Sequence, residues 1–109
     1  MSSVPAVSYY RATANAYAPF EPLQGRREAR VAIIGGGYAG LNTALGLAER
    51  GVTDVVLLER EQVGFGASGR NGGFVFAGYS LGEQSLLDQL GAERARALFG
   101  LTTAAVYRI

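Results

Sequence analysis

The stretch that most limits what this chain can become is residues 31–60, VAIIGGGYAGLNTALGLAERGVTDVVLLER. Val31, Ala32, Ile33 and Ile34 run straight into a glycine turn, Gly35-Gly36-Gly37-Tyr38-Ala39-Gly40. Leu41, Ala44, Leu45 and Ala48 then recur at helical spacing, which predicts a helix from about Gly40 to Arg50 with those residues inward. After Gly51 a second apolar run, Val55-Val56-Leu57-Leu58, ends on Glu59. Strand, turn, helix and strand in this order predict a right-handed βαβ unit with two adjacent parallel strands. Unbroken apolar strands of this kind suit a sheet covered on both faces.

A GxGxxG turn alone is a weak signal, but here the strand before it, the helix after it and a distal acid are all present. Gly35 allows a tight exit from the strand, Gly37 allows a pyrophosphate close to the backbone, and Gly40 allows the helix to pack close to the strand. The first turn of the helix offers unpaired N–H groups and the positive end of the helix dipole. Glu59 lies 19 residues after Gly40, at the end of the second strand. A carboxylate there can accept both hydroxyls of an adenosine ribose, of NAD or of FAD. The reading is a dinucleotide site in an α/β, Rossmann-like fold.

Composition narrows the rest. With 109 residues and a formal charge of +1, the chain is one small domain or part of a larger one, with no charge bias toward nucleic acid. It has neither Cys nor His, which removes disulfides, Cys/His metal sites, a thiol nucleophile and an imidazole base from this stretch. No apolar run approaches the roughly 20 residues of a membrane span, and the first residues lack an apolar signal core, so a cytoplasmic location is expected.

Along the chain, residues 1–30 read as an irregular arm interrupted by Pro5, Pro19 and Pro22. Ser8 is placed to cap a short helix, and Tyr9, Tyr10, Tyr17 and Phe20 are expected to anchor the arm on a neighbouring surface. Residues 64–73 hold five glycines in ten, with Ser68, Arg70 and Asn71 among them. A loop so stripped of side chains suits a ligand lying along its backbone. Ser68 and Asn71 can bond a phosphate or a ribityl hydroxyl, and Arg70 can pair with an anion. Phe74-Val75-Phe76-Ala77 then reads as a short strand. Ser80 and Glu83 have capping-box spacing for a helix with Leu86, Leu87 and Leu90 inward, which Gly91 ends. A further helix from Ala92 carries Ala95, Leu98, Phe99, Thr102, Val106 and Ile109 on one stripe, expected to be partly uncovered.

Residues 31–60 together with Val63-Gly64-Phe65-Gly66-Ala67-Ser68-Gly69-Arg70-Asn71-Gly72-Gly73 resemble the D-amino-acid oxidase-like family of FAD-dependent oxidoreductases, in particular the gamma-glutamylputrescine oxidase subgroup. Ser8-Tyr9-Tyr10 and the helix around residues 90–95 are similar to that subgroup as well. The resemblance implies FAD held at its pyrophosphate by Gly35, Gly37, Tyr38, Ala39 and Gly40 and at its adenosine ribose by Glu59, with Arg60 near the adenine. Ala67, Ser68, Arg70, Asn71, Gly72 and Gly73 would then follow the pyrophosphate and ribityl toward the flavin. It further implies oxidation of the C–N bond of an amine or amino acid. Family members are several times longer, so residues 31–109 are expected to be the N-terminal part of an FAD-binding domain whose substrate domain lies elsewhere. No general base stands out among the acids of this chain.

Overall fold

The computed structural model describes residues 7–109; Pro5 lies outside that range. The chain divides into two units, Met1–Asn71 and Gly72–Ile109.

In the first unit, helix α1 (Tyr9–Thr13) starts where Ser8 was expected to cap it, with Ser8 Oγ accepting from Arg11 N at 3.3 Å. Strand β1 (Val31–Ile34) and strand β2 (Val55–Leu58) pair in parallel, Val31 opposite Val55 and Ile34 opposite Leu58. Helix α2 (Tyr38–Glu49) connects them and packs on both. It begins two residues before Gly40 because Gly37, in extended conformation, is its N-cap. The βαβ unit and its parallel register therefore stand as the sequence implies.

Three expectations for this unit are corrected. Leu41, Leu45 and Ala48 are not inward; the two leucines are 41% and 50% exposed. Ala44, Gly46 and Leu47 are the better covered positions, along with Gly40. Apolar residues surround most of α2, so periodicity alone does not choose a face; the bare backbone of Gly40 does, and positions four and seven residues on follow it. The sheet is also not covered on both faces: Ile34 is 80% exposed, and within the first unit α2 is the helix that packs on the two strands. Finally, Tyr9, Tyr10, Tyr17 and Phe20 are all exposed. The side chain that ties α1 to the rest of the unit is Arg11, over the Phe65 ring.

In the second unit, helix α3 (Glu83–Arg108) is broken at Gly91, whose φ of 76° and ψ of 164° no neighbouring helical residue shares. That is the stop expected at this glycine, followed at once by a new helix. Leu86 and Ala95, one on each side of the break, are the buried side chains. Leu87 and Leu90 are exposed, contrary to expectation; Leu86 is the leucine of residues 83–90 that is buried. Phe99 and Ile109 are exposed and Leu98, Thr102 and Val106 are half-buried, so the second stripe is partly uncovered, as expected.

Phe74-Val75-Phe76-Ala77 forms no strand. The Phe74 and Phe76 rings lie 5.9 Å apart and nearly parallel, as alternate residues of an extended segment do, but no other strand pairs with it among the described residues. Ser80 caps nothing: α3 starts at Glu83 with Gly82 as N-cap, so the S-x-x-E spacing is out of register with the helix by two residues. No helix among the described residues is long and apolar enough to cross a membrane, and no cluster of three metal-ligating side chains occurs among them.

Candidate dinucleotide-binding site

The turn between β1 and α2 is built almost entirely from backbone. Gly35 leaves the strand with a φ of 101°, a region that a side chain would strain, while its N–H still donates to Leu58 O at 2.7 Å. Gly36 is buried and donates its N–H to Glu59 Oε2 at 2.7 Å; its carbonyl accepts from Gly64 N at 2.9 Å. The Tyr38 N–H, first in α2, donates to Ser68 Oγ at 2.9 Å. The Ala39 and Gly40 N–H groups precede the first intrahelical bond, Leu41 N to Gly37 O, and have no helical acceptor of their own.

Each close glycine has an identifiable neighbour. A Cβ on Gly40 would strike the Gly35 carbonyl oxygen, and one on Gly37 would come within 2.8 Å of Ser68 Oγ. A Cβ on Gly36 would press on the Glu59 side chain at 3.3 Å. Helix, strand, acid and loop thus meet at a point where only glycines fit.

Glu59 is half-buried and held at both oxygens, Oε2 by Gly36 N–H and Oε1 by Glu61 N–H at 3.0 Å. The Glu61 and Gly36 N–H groups hold its carboxyl below the usual carboxylate range. Partial burial opposes this, while the Arg60 backbone and guanidinium add to it. The acid is thus joined directly to the turn through the Gly36 N–H. A carboxylate offers about four lone-pair sites, more than these backbone donors occupy, so Glu59 keeps acceptor capacity for a further donor.

The loop that follows has the turn's own spacing. Gly64-Phe65-Gly66-Ala67-Ser68-Gly69 is a second GxGxxG. Gly64, like Gly35, has positive φ, and a Cβ on Gly69 would strike the Gly64 carbonyl as one on Gly40 would strike Gly35. Gly66 precedes a short 3₁₀ turn, Ala67–Gly69. Gly36 and Gly64, absent from the residues the sequence nominates for the site, join the turn, the acid and the loop, and the doubled glycine spacing is the signal that marks them.

Of the remaining candidates, Asn71 Nδ2 donates to the Ala67 and Ser68 carbonyls, and Arg60 is exposed and ion-paired with Glu61 at 3.2 Å. Arg70 turns its guanidinium to the Phe65 ring and donates Nε to Phe65 O at 2.9 Å. Gly72 and Gly73 open the second unit, Gly73 with positive φ. The donors at the helix start, the glycine cradle and the pinned carboxylate together match the polar groups of a dinucleotide: phosphates and ribose hydroxyls.

The family described as FAD dependent oxidoreductase matches residues 30–107. The chain belongs to that family. Membership implies FAD binding. Gamma-glutamylputrescine oxidoreductase of Escherichia coli is 50% identical over 91 residues, covering 84% of this chain and 21% of the relative. A probable oxidoreductase, OrdL, of Haemophilus influenzae is 41% identical over 95 residues, covering 87% of this chain and 22% of the relative. The tRNA 5-methylaminomethyl-2-thiouridine biosynthesis bifunctional protein of Shewanella frigidimarina is 41% identical over 61 residues, 56% of this chain and 9% of its own. This chain therefore spans about a fifth of the length of the first two relatives. No solved structure is a significant match.

Proposed function

We propose that residues 31–109 are the N-terminal part of the FAD-binding domain of an oxidoreductase that oxidises the C–N bond of an amine or amino acid, with residues 1–30 as an arm. The observation that carries the cofactor reading is the Glu59 carboxylate, fixed by the Gly36 and Glu61 N–H groups at the mouth of the glycine turn. Fixed and ionised, it accepts from the adenosine ribose through its remaining acceptor capacity without having to be reoriented. Tyr38, Ala39 and Gly40 supply N–H donors to the pyrophosphate, and Gly35 and Gly37 let it approach. Ser68 Oγ, already on the Tyr38 N–H, shares that donor with a phosphate oxygen or gives way to it.

Arg60 is assigned to the adenine end, and Ala67, Asn71, Gly72 and Gly73 to the path toward the flavin; Arg70 would pair with an anion along it. Bound FAD supplies the hydride acceptor; the residues of this chain hold and orient it. The relative named for gamma-glutamylputrescine, itself an amine, supports an amine or amino acid as the substrate class. The NAD alternative has no support from the matched family, which is FAD-dependent.

The test is titration of FAD into the chain, followed by quenching of flavin fluorescence. Glu59→Ala is expected to weaken FAD at least ten-fold, about 1.4 kcal/mol. In the whole protein at saturating FAD, turnover of an amine substrate should change little. Unchanged FAD affinity would reduce Glu59 to a strand-end acid and remove the ribose assignment.

A further inference from the structure

The first unit contains a second concavity, about 670 Å³ in volume, between α1 with the segment after it and residues 61–70. None of its walls comes from the β1–α2 turn or from Glu59. Two guanidiniums line it, Arg11 from α1 and Arg70 from the loop, each 5.0 Å from the centre of the same Phe65 ring. The ring holds two like charges within two such radii of each other. Neither has a carboxylate within ion-pair distance among the described residues. Glu61 is the acid on the wall, and it is paired with Arg60. Arg11 Nη2 meets the Gln62 Oε1 at 3.5 Å, the outer limit of a hydrogen bond, and Arg70 commits its Nε to Phe65 O. Both guanidiniums therefore keep most of their N–H donors for another acceptor.

Two guanidiniums flank one ring with no carboxylate beside them, and a carboxylate or phosphate matches their forked donors. The volume is that of a small-molecule site rather than an ion site, and Tyr10 and Tyr17 add aromatic and phenolic surface to its wall. We propose that this cavity binds a small organic oxyanion, a carboxylate or a phosphate ester, held by Arg11 and Arg70 across the Phe65 ring. The site lies off the β1–α2 turn but shares Arg70 and its glycine loop with the proposed path of FAD, so Arg11 is the residue that distinguishes the two.

Calorimetric titration of the chain at low ionic strength tests it, with glutarate as the carboxylate, glycerol 3-phosphate as the phosphate ester, and sodium chloride at matched ionic strength as reference. Saturable binding of at least one organic anion, absent with chloride, is expected, and whichever binds names the chemistry. Arg11→Gln should weaken it ten-fold or more. Arg11 is exposed, so this change removes no core contact, and circular dichroism should be unaltered. Phe65→Leu keeps both charges but loses the ring that aligns them, and should weaken binding several-fold. FAD affinity of Arg11→Gln should equal that of the parent chain. A response to both anions no stronger than to chloride, or an Arg11→Gln protein that binds as the parent does, overturns the proposal. So does a parallel loss of FAD, which would make the arginines part of the cofactor turn. A chain that takes glutarate but no FAD refutes the cofactor reading alone.

Discussion

The two units of this molecule are organised by different forces. Around the β1–α2 turn, polar backbone groups satisfy one another: Gly35 with Leu58, Gly36 with Glu59 and Gly64, Tyr38 with Ser68. In the second unit the polar cross-links are few. Gly78 N–H donates to Thr102 Oγ1, and Tyr79 Oη to Leu98 O. Large apolar side chains such as Phe74, Phe76 and Tyr107 remain exposed there, at 82%, 79% and 88%, as Ile34 and Phe20 do in the first unit away from the turn. A hydrogen-bonded turn is directional, so it has one geometry whatever else packs on it. Apolar burial has no direction and depends on how much partner surface is available. The first unit should therefore be intolerant of single atoms, and the second tolerant of them.

Two helical glycines sharpen that contrast, and the larger effect belongs to the first. Gly40→Val places a side chain against the Gly35 carbonyl, with Ile33 behind it. Separating α2 from β1 should cost about 1–3 kcal/mol, as overpacking does, and abolish FAD quenching at concentrations that saturate the parent chain. Thermal unfolding and flavin titration on one sample measure both. An unchanged melting temperature would mean that the turn is looser than its contacts imply.

The acid limb of stability comes next. In the folded chain the Glu59 carboxyl titrates below its ordinary value of 4.5. The unfolded chain then binds the proton more tightly, so ionised Glu59 stabilises the fold above about pH 4.5, and this contribution is lost as the pH falls through the folded value. Denaturant midpoints between pH 3 and 6 should drop more steeply for the parent than for Glu59→Gln, which keeps the shape without the titration. Parallel curves would remove the two N–H bonds as the source of order at the turn.

Gly100→Ala is the counterpart in α3. Its new methyl meets nothing within 4 Å, and the residue is exposed within the helix. Replacing a helical glycine at an open position should stabilise by about 0.4–1 kcal/mol, visible as a small rise in melting temperature. A loss instead would mean that the second unit is as closely fitted as the first.

The order β1, α2, β2 and the parallel pairing were legible in residues 31–60, because apolar runs, helical spacing and glycine punctuation are local properties. So was the break at Gly91, since its conformation excludes other residues whatever surrounds it. Strand status for residues 74–77 was not legible: a strand exists only with a partner for its backbone, and the described residues offer none. The inward face of α2 was likewise undetermined by a helix apolar around most of its circumference; contact at Gly40 settled it. At the site, sequence named Glu59, Ser68 and Arg70 by chemical type. Only the fold put Glu59 on the Gly36 N–H, Ser68 on the Tyr38 N–H and Arg70 on the Phe65 ring. Such pairings join residues up to 30 positions apart, and a hydrogen bond depends on distance and angle in space, neither of which spacing along the chain encodes.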